Sequence, residues 1–326
     1  MKLYSYRGEH TVLPQNTMIA FREALMNGAE GIALDVHMTR DRQPVIIHDD
    51  ALSRTVDAVG LVRHHTLAEI QSARLVEPYA KYNQHVLSLE EYLTWAAPLP
   101  HKTIIILCND AFFYPNLEEE VIHRIEALEG FDAPNRLILA SGRLNSLRQM
   151  HALYPEIPLA WVPNRLTEER VDILQTSEVK ILLPSIERTE RTLVEKAHEE
   201  GFTILSMDVR DRNQITRLEG LGVDGALVSD VALAREALGV TEMPFKPEEL
   251  ALEEKAPEAE TKEKSGTGSM QLLARHAKAM ANGKDNKAGR GKNALMIVLA
   301  MAICVAIASL LTGLAMNFLK GIFKVS

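Results

Sequence analysis

Over the first 240 residues, short apolar runs alternate with stretches whose apolar positions recur every three or four residues. The runs predict strands at Lys2–Arg7, Gly31–His37, Thr103–Cys108, Arg136–Ser141, Leu159–Pro163, Val179–Leu183, Thr203–Asp208 and Ala226–Ser229. The helical stretches fall between them, at Thr17–Asn27, Leu89–Ala97, Leu117–Leu128, Leu144–Leu153, Glu168–Gln175, Glu187–Glu200, Asn213–Leu221 and Asp230–Leu238. Several open at a capping residue or an acid and stop at a glycine: Gly28, Gly201 or Gly222. A further run, Pro44–His48, sits inside the second strand-to-helix connection. Strand–helix units repeated in this way predict an α/β fold, the (β/α)8 TIM barrel. The alternative, a doubly wound open sheet, does not need so many strands, and no Gly-x-Gly-x-x-Gly follows the first one.

The pattern changes after residue 240. Residues 241–292 read as a flexible linker, acidic and then basic: Glu248–Lys264 is rich in acids and poor in large apolar groups, and Ser265–Ser269 is glycine- and serine-rich. Met270–Met280 is either a short helix lying on a membrane surface or plain disorder. Ala294–Met316 carries no charge over 23 residues. At about 1.5 Å per residue this is roughly 35 Å of helix, enough to cross a hydrocarbon layer of about 30 Å. Residues 293–319 are therefore expected to form a single transmembrane helix. Lys284, Lys287, Arg290 and Lys292 precede the span, and Lys320 and Lys324 follow it. That bias predicts a cell-membrane protein with its barrel, residues 1–240, on the cytoplasmic side. Ala302-x-x-x-Ala306 and Ser309-x-x-x-Gly313 offer small faces for homodimer pairing or for a membrane-protein partner.

Charge sharpens this division. The net charge of −8 combines a body of −15 over residues 1–270 with a tail of +7. An acidic body argues against a nucleic-acid partner, whereas a basic patch beside an apolar span suits an anionic membrane surface. Of the two cysteines, Cys108 lies in the body and Cys304 in the apolar span, so no disulfide is expected and a reducing compartment fits. Met1–Arg7 is too short and polar for a signal-peptide core.

Candidate chemistry lies in ordered motifs. Tyr6-Arg7-Gly8 is followed by Pro14-Gln15-Asn16-Thr17 and Ala20-Phe21. Next come Gly31–Asp41, Pro44–Asp50, and Leu52, Arg54 and Thr55. Leu87–Glu91, Tyr114-Pro115 with Glu118 and Glu119, and Gly222–Gly225 complete the series. Across residues 3–238 this order resembles the glycerophosphodiester phosphodiesterase family. The resemblance implies a TIM barrel that hydrolyses glycerophosphodiesters to glycerol 3-phosphate and an alcohol. It also implies two histidines as acid and base. A divalent cation, Ca²⁺ or Mg²⁺, would be held by two acids of the second strand and one of the third.

This chain departs from that pattern where the chemistry is densest. Tyr6 stands at the first histidine and Gln15 at a glutamate. Ala33 and Ile106 stand at metal-binding acids, and Cys108 at a lysine. Arg7, Asp35 and His48 survive. A lone aspartate is a poor holder of a hard cation, and a phenol is a poor proton shuttle at neutral pH. The expectation is thus a domain that has lost its chemistry and needs no cofactor. It would bind an anionic headgroup or glycerol-phosphate-like ligand through Arg7 and His48, or scaffold at the membrane. Asp35 is left as a residual metal ligand. The alternative is an active phosphoric diester hydrolase with a rearranged site built from Asp35, His37, His48 and Asp110, using Ca²⁺ or Mg²⁺. A purely structural barrel packed on a membrane partner is a third expectation. Elsewhere, His10 reads as a solvated loop residue, His64-His65 as surface and Cys108 as a small core-lining residue. Glu118-Glu119-Glu120 reads as a solvated helix start.

Overall fold

The computed structural model describes residues 1–108, 114–163 and 178–250. Eight parallel strands carry the fold: β1 (Lys2–Tyr6), β2 (Gly31–Met38), β4 (Lys102–Leu107), β5 (Leu137–Ser141), β6 (Leu159–Trp161), β7 (Val179–Leu182), β8 (Thr203–Val209) and β9 (Gly225–Val228). They lie in chain order, and β1 pairs with both β9 and β2, which closes the barrel. The short strand β3 (Pro44–Ile46) runs antiparallel along β2 at the rim. Each strand expected from the apolar runs is present, shifted by a residue or two at its ends.

Alternation along the strands sorts the core into two layers. In β2, Ile32, Leu34, Val36 and Met38 face the surrounding helices, in one cluster with Phe21, Tyr92 and Leu93. Ala33 faces the barrel interior, together with Tyr4, Tyr6, Ile104, Ile106, Ile138 and Met207. The strands read as continuous apolar runs because both faces are buried.

The helices start and stop where short-range chemistry dictates. Ser88 and Glu91 form a capping box at Leu89–Ala96, and Thr66 and Glu69 form another at Leu67–Ser72. Asp211 and Asp230 cap Arg212–Leu221 and Val231–Leu238, and each of these ends on a left-handed glycine, Gly222 or Gly239. The excursion between β3 and β4 has a small core of its own, formed by Val45, Ile47, Leu52, Val56, Val62, Ile70, Leu75 and Val86. Its turns and the helix Leu67–Ser72 were not legible from periodicity, because each piece is shorter than two helical turns.

Glu118 departs from the solvated reading of its triplet. It is only 1% exposed at the start of Leu117–Glu126, while Glu120 pairs with Arg42 and Arg124. No described helix is long and apolar enough to cross a membrane. The expected span at 293–319, most of the linker, the helix at Glu168–Gln175, Asp110 and Cys304 lie outside the described residues.

Candidate active site at the barrel mouth

Residues at the carboxyl ends of β1, β2 and β4 converge on one cluster, the end of a barrel where side chains are free to carry chemistry. Tyr6 pairs in register with Ala33, and Asp35 with Ile106. The chain then turns sharply at Arg7, whose φ is +65°, and at Gly8, φ +81°. A Cβ on Gly8 would lie 2.6 Å from the Cβ of Ala20, so only glycine fits there. The turn is tied down by Arg7 N–H donating to the Ala33 carbonyl at 2.7 Å and by Asn16 N–H donating to the Arg7 carbonyl at 2.8 Å.

The turn folds the Arg7 guanidinium back over the mouth. Arg7 Nε lies 2.8 Å from Asp35 Oδ2, with the side chains only 12% and 2% exposed. Arg7 Nη2 donates to Tyr6 Oη at 2.6 Å, Tyr6 O–H donates to Asp35 Oδ1 at 3.0 Å, and Arg7 Nη1 donates to Gln15 Oε1 at 3.3 Å. The guanidinium also sits 4.1 Å from the centre of the Tyr6 ring. Arg7 Nε and Asp35 Oδ2 face each other without hydrogen-bond alignment, so their contact is a Coulombic pair rather than a directed bond. Burial and the Asp35 charge push the Tyr6 phenol well above its ordinary range, so it stays a neutral donor. Burial works against the Arg7 charge, but Asp35 and Tyr6 outweigh it.

His48 lies next to this cluster, because Ile47 N–H donates to the Asp35 carbonyl at 3.1 Å. Its Nδ1 is 2.7 Å from Asp49 Oδ1 and 3.1 Å from Arg54 Nη2. Nδ1–H donates to the closer carboxylate, which leaves Nε2 as the basic nitrogen. Burial pushes the Asp49 carboxyl up, but Arg54 and His48 outweigh it and hold it below the usual carboxylate range. Arg54 also contacts Asp49 through Nε. An imidazole oriented by a carboxylate in this way is able to pass a proton.

The remaining residues weighed from the sequence take other roles. His37 Nε2–H donates to the His48 carbonyl at 3.0 Å, and its Nδ1 accepts from the Tyr114 hydroxyl at 2.9 Å. Burial lowers its pKa, so His37 is held neutral, and with both nitrogens engaged it orients the His48 backbone. His10 is largely packed, not solvated; its Nδ1 donates to the Gly8 carbonyl at 3.1 Å, and burial lowers its pKa. Cys108 N–H donates to the Val36 carbonyl, and burial with the nearby Asp35 charge holds the thiol protonated. It is a lining residue, not a nucleophile. Tyr114 and Arg54 were missed as partners of His37 and Asp49. The Tyr114 contact spans 77 positions, and no local pattern announces it.

The donor set fits a divalent cation poorly. Ala33 and Ile106, at two acidic positions of the family pattern, are buried in the interior apolar cluster. Among the buried carboxylate oxygens of the described residues, Asp35 Oδ2 alone lacks a hydrogen-bond partner, and it faces a guanidinium at 2.8 Å. Hard cations need several oxygen donors, and a neighbouring positive charge repels them. Among the described residues, no three His, Cys, Asp or Glu side chains cluster suitably. Cavities of about 300 and 390 Å³ lie at the opposite end of the barrel, lined by Gly28, Glu30 and Arg235, and by Leu128, Phe131 and Arg136.

Comparisons with known proteins bear on this mouth. A model of the glycerophosphoryl diester phosphodiesterase family matches residues 7–233. A glycerophosphodiester phosphodiesterase of Bacillus altitudinis is 33% identical over 229 residues, 69% of this chain and 92% of the relative. One from Caldanaerobacter subterraneus subsp. tengcongensis is 27% identical over 69% of this chain and 93% of its own length. Among solved structures, an Oleispira antarctica phosphodiesterase in complex with the product sn-glycerol-3-phosphate matches with a TM-score of 0.65. That match has 22% identity over 73% of this chain and 97% of the other, a likeness of fold.

Proposed function

The chain belongs to the glycerophosphoryl diester phosphodiesterase family, and on that premise we propose that its barrel mouth hydrolyses glycerophosphodiesters through a rearranged site. The observation that carries this reading is His48 held by Asp49 at 2.7 Å, one residue beyond the backbone link to the Arg7–Asp35 cluster. The naming of the relatives as phosphodiesterases supports turnover over a domain that has lost its chemistry. His48 Nε2 takes the proton of an attacking water. Arg7 offsets charge on the phosphoryl oxygens. The P–O bond to the alcohol breaks, the departing alkoxide takes a proton from solvent, and glycerol 3-phosphate is left.

With Tyr6 in place of a second histidine, the departing alcohol lacks a matched acid. The absence of one proton-transfer partner typically slows turnover by about 10²–10⁴-fold. Glycerophosphocholine should therefore be hydrolysed slowly, and His48→Ala should abolish the reaction. Restoring Tyr6→His, Ala33→Glu and Ile106→Glu together should raise turnover in the presence of Ca²⁺. Wild-type turnover that survives His48→Ala would sink this assignment.

A binding domain without turnover is the second reading. It is favoured by the Tyr6 hydroxyl, which is committed to Asp35 and Arg7 and holds its proton far above neutral pH. Headgroup binding with no hydrolysis by the wild-type chain would select it. The span at 294–316 supports a single-pass anchor, and the flanking charge bias supports a cytoplasm-facing barrel at the cell membrane.

A further inference from the structure

We infer that Arg7 serves as the resident cation of this mouth, so that an oxyanion ligand binds without any divalent metal and in competition with Asp35. The inference rests on the phosphodiester reading above and concerns how that ligand is held. In a metal site, an aspartate at the end of the second strand helps ligand binding, because it holds the ion that meets the phosphate. Here the same carboxylate meets a guanidinium. Arg7 Nε is 2.8 Å from Asp35 Oδ2, and the carboxylate's other oxygen accepts from Tyr6 at 3.0 Å.

Two neighbours make the arrangement self-consistent. Tyr6, at the position of a proton carrier, accepts from Arg7 Nη2 at 2.6 Å and braces its guanidinium through the ring face. Gln15, at the position of a glutamate, accepts from Nη1 at 3.3 Å and adds no negative charge. Ala33 and Ile106 remove two more negative charges and close the interior with apolar packing. The substitutions together convert a cage for a cation into a cradle for an arginine.

The Arg7–Asp35 contact lacks hydrogen-bond alignment, and both atoms are buried with capacity to spare. A phosphoryl oxygen reaching Arg7 gains a directed, charge-assisted bond that Asp35 does not make through Nε. Asp35 therefore acts as an internal competitor for the ligand's charge, and its role is opposite in sign to that of a metal ligand.

Calorimetric titration of the full chain with sn-glycerol 3-phosphate, in EDTA and then in Ca²⁺ or Mg²⁺, tests this. Binding in EDTA, unchanged by the metals, is expected. Asp35→Asn should tighten it roughly tenfold by freeing the guanidinium, and Arg7→Ala should abolish it. Binding that requires Ca²⁺ or Mg²⁺, or that disappears in Asp35→Asn protein shown to be folded, overturns the inference and leaves the substrate reading standing. Absence of binding under every condition removes both. Titration of the wild-type chain with Ca²⁺ alone decides the matter even where Asp35→Asn fails to fold: heat from a stoichiometric site overturns the inference, and its absence supports it.

Discussion

Tyr6 illustrates how one side chain changes the meaning of its neighbours. A histidine in its place would carry a proton; the phenol instead holds one permanently, bridges Arg7 and Asp35, and packs with the interior cluster. His101, away from the mouth, shows the same power of environment over a titrating group. It is 1% exposed, bonds through Nε2 to the Tyr92 hydroxyl at 3.2 Å, and is pushed down to about 3 by burial and the nearby Arg136. The folded state thus refuses a proton that the unfolded chain accepts near its reference pKa of about 6.5. His101 therefore favours folding fully above about 6.5, and that contribution falls away as the pH drops toward about 3. The expected slope is up to about 1.4 kcal/mol per pH unit from this one group. His101→Asn should flatten the pH dependence of the denaturation midpoint across that window; identical slopes in the two proteins would refute the assignment.

At the scale of elements, caps decide where helices begin. Ser88 Oγ accepts from Glu91 N–H at 3.1 Å, and the Glu91 carboxylate accepts from Ser88 N–H at 2.7 Å. This box starts Leu89–Ala96, which buries Leu89, Tyr92 and Leu93 against the barrel. Ser88→Ala removes one of the two reciprocal bonds and should lower stability by about 1 kcal/mol, read from urea unfolding. The helix Val231–Leu238 has a second carboxylate beside its Asp230 cap. Val231 N–H donates to Glu9 Oε2 at 3.1 Å, so the loop after β1 is fastened to the end of the chain's final barrel unit. A carboxylate already occupies that helix terminus.

For the whole molecule, two physically distinct parts share one chain. The described barrel is closed by β1, whose edges are covered on one side by β2 and on the other by β9. Beyond residue 250 the sequence carries an acidic stretch, a basic stretch and an uncharged span. On our proposal the uncharged span inserts in a membrane by burial of apolar surface, which salt and alkaline pH do not reverse. The full chain should resist carbonate extraction from membranes, while a chain ending at residue 292 should be released. Release of both would remove the anchor from the account.

Much of this protein was determined by its sequence alone. Strand–helix alternation, capping residues and glycine stops are short-range features, and they specified the barrel and the position of its mouth because each depends on residues a few positions apart. The identities of Tyr6, Ala33 and Ile106 were equally legible, since motif order sets their positions. Only the tertiary structure decided what those residues contact. The Arg7–Asp35 pair joins β1 to β2, His37 finds Tyr114 across 77 positions, and Glu118 is buried where its triplet looked solvated. Such outcomes depend on which buried charges come to rest within a few ångströms of each other. In a low-dielectric interior that proximity decides their energy, and it exists only once the barrel has closed.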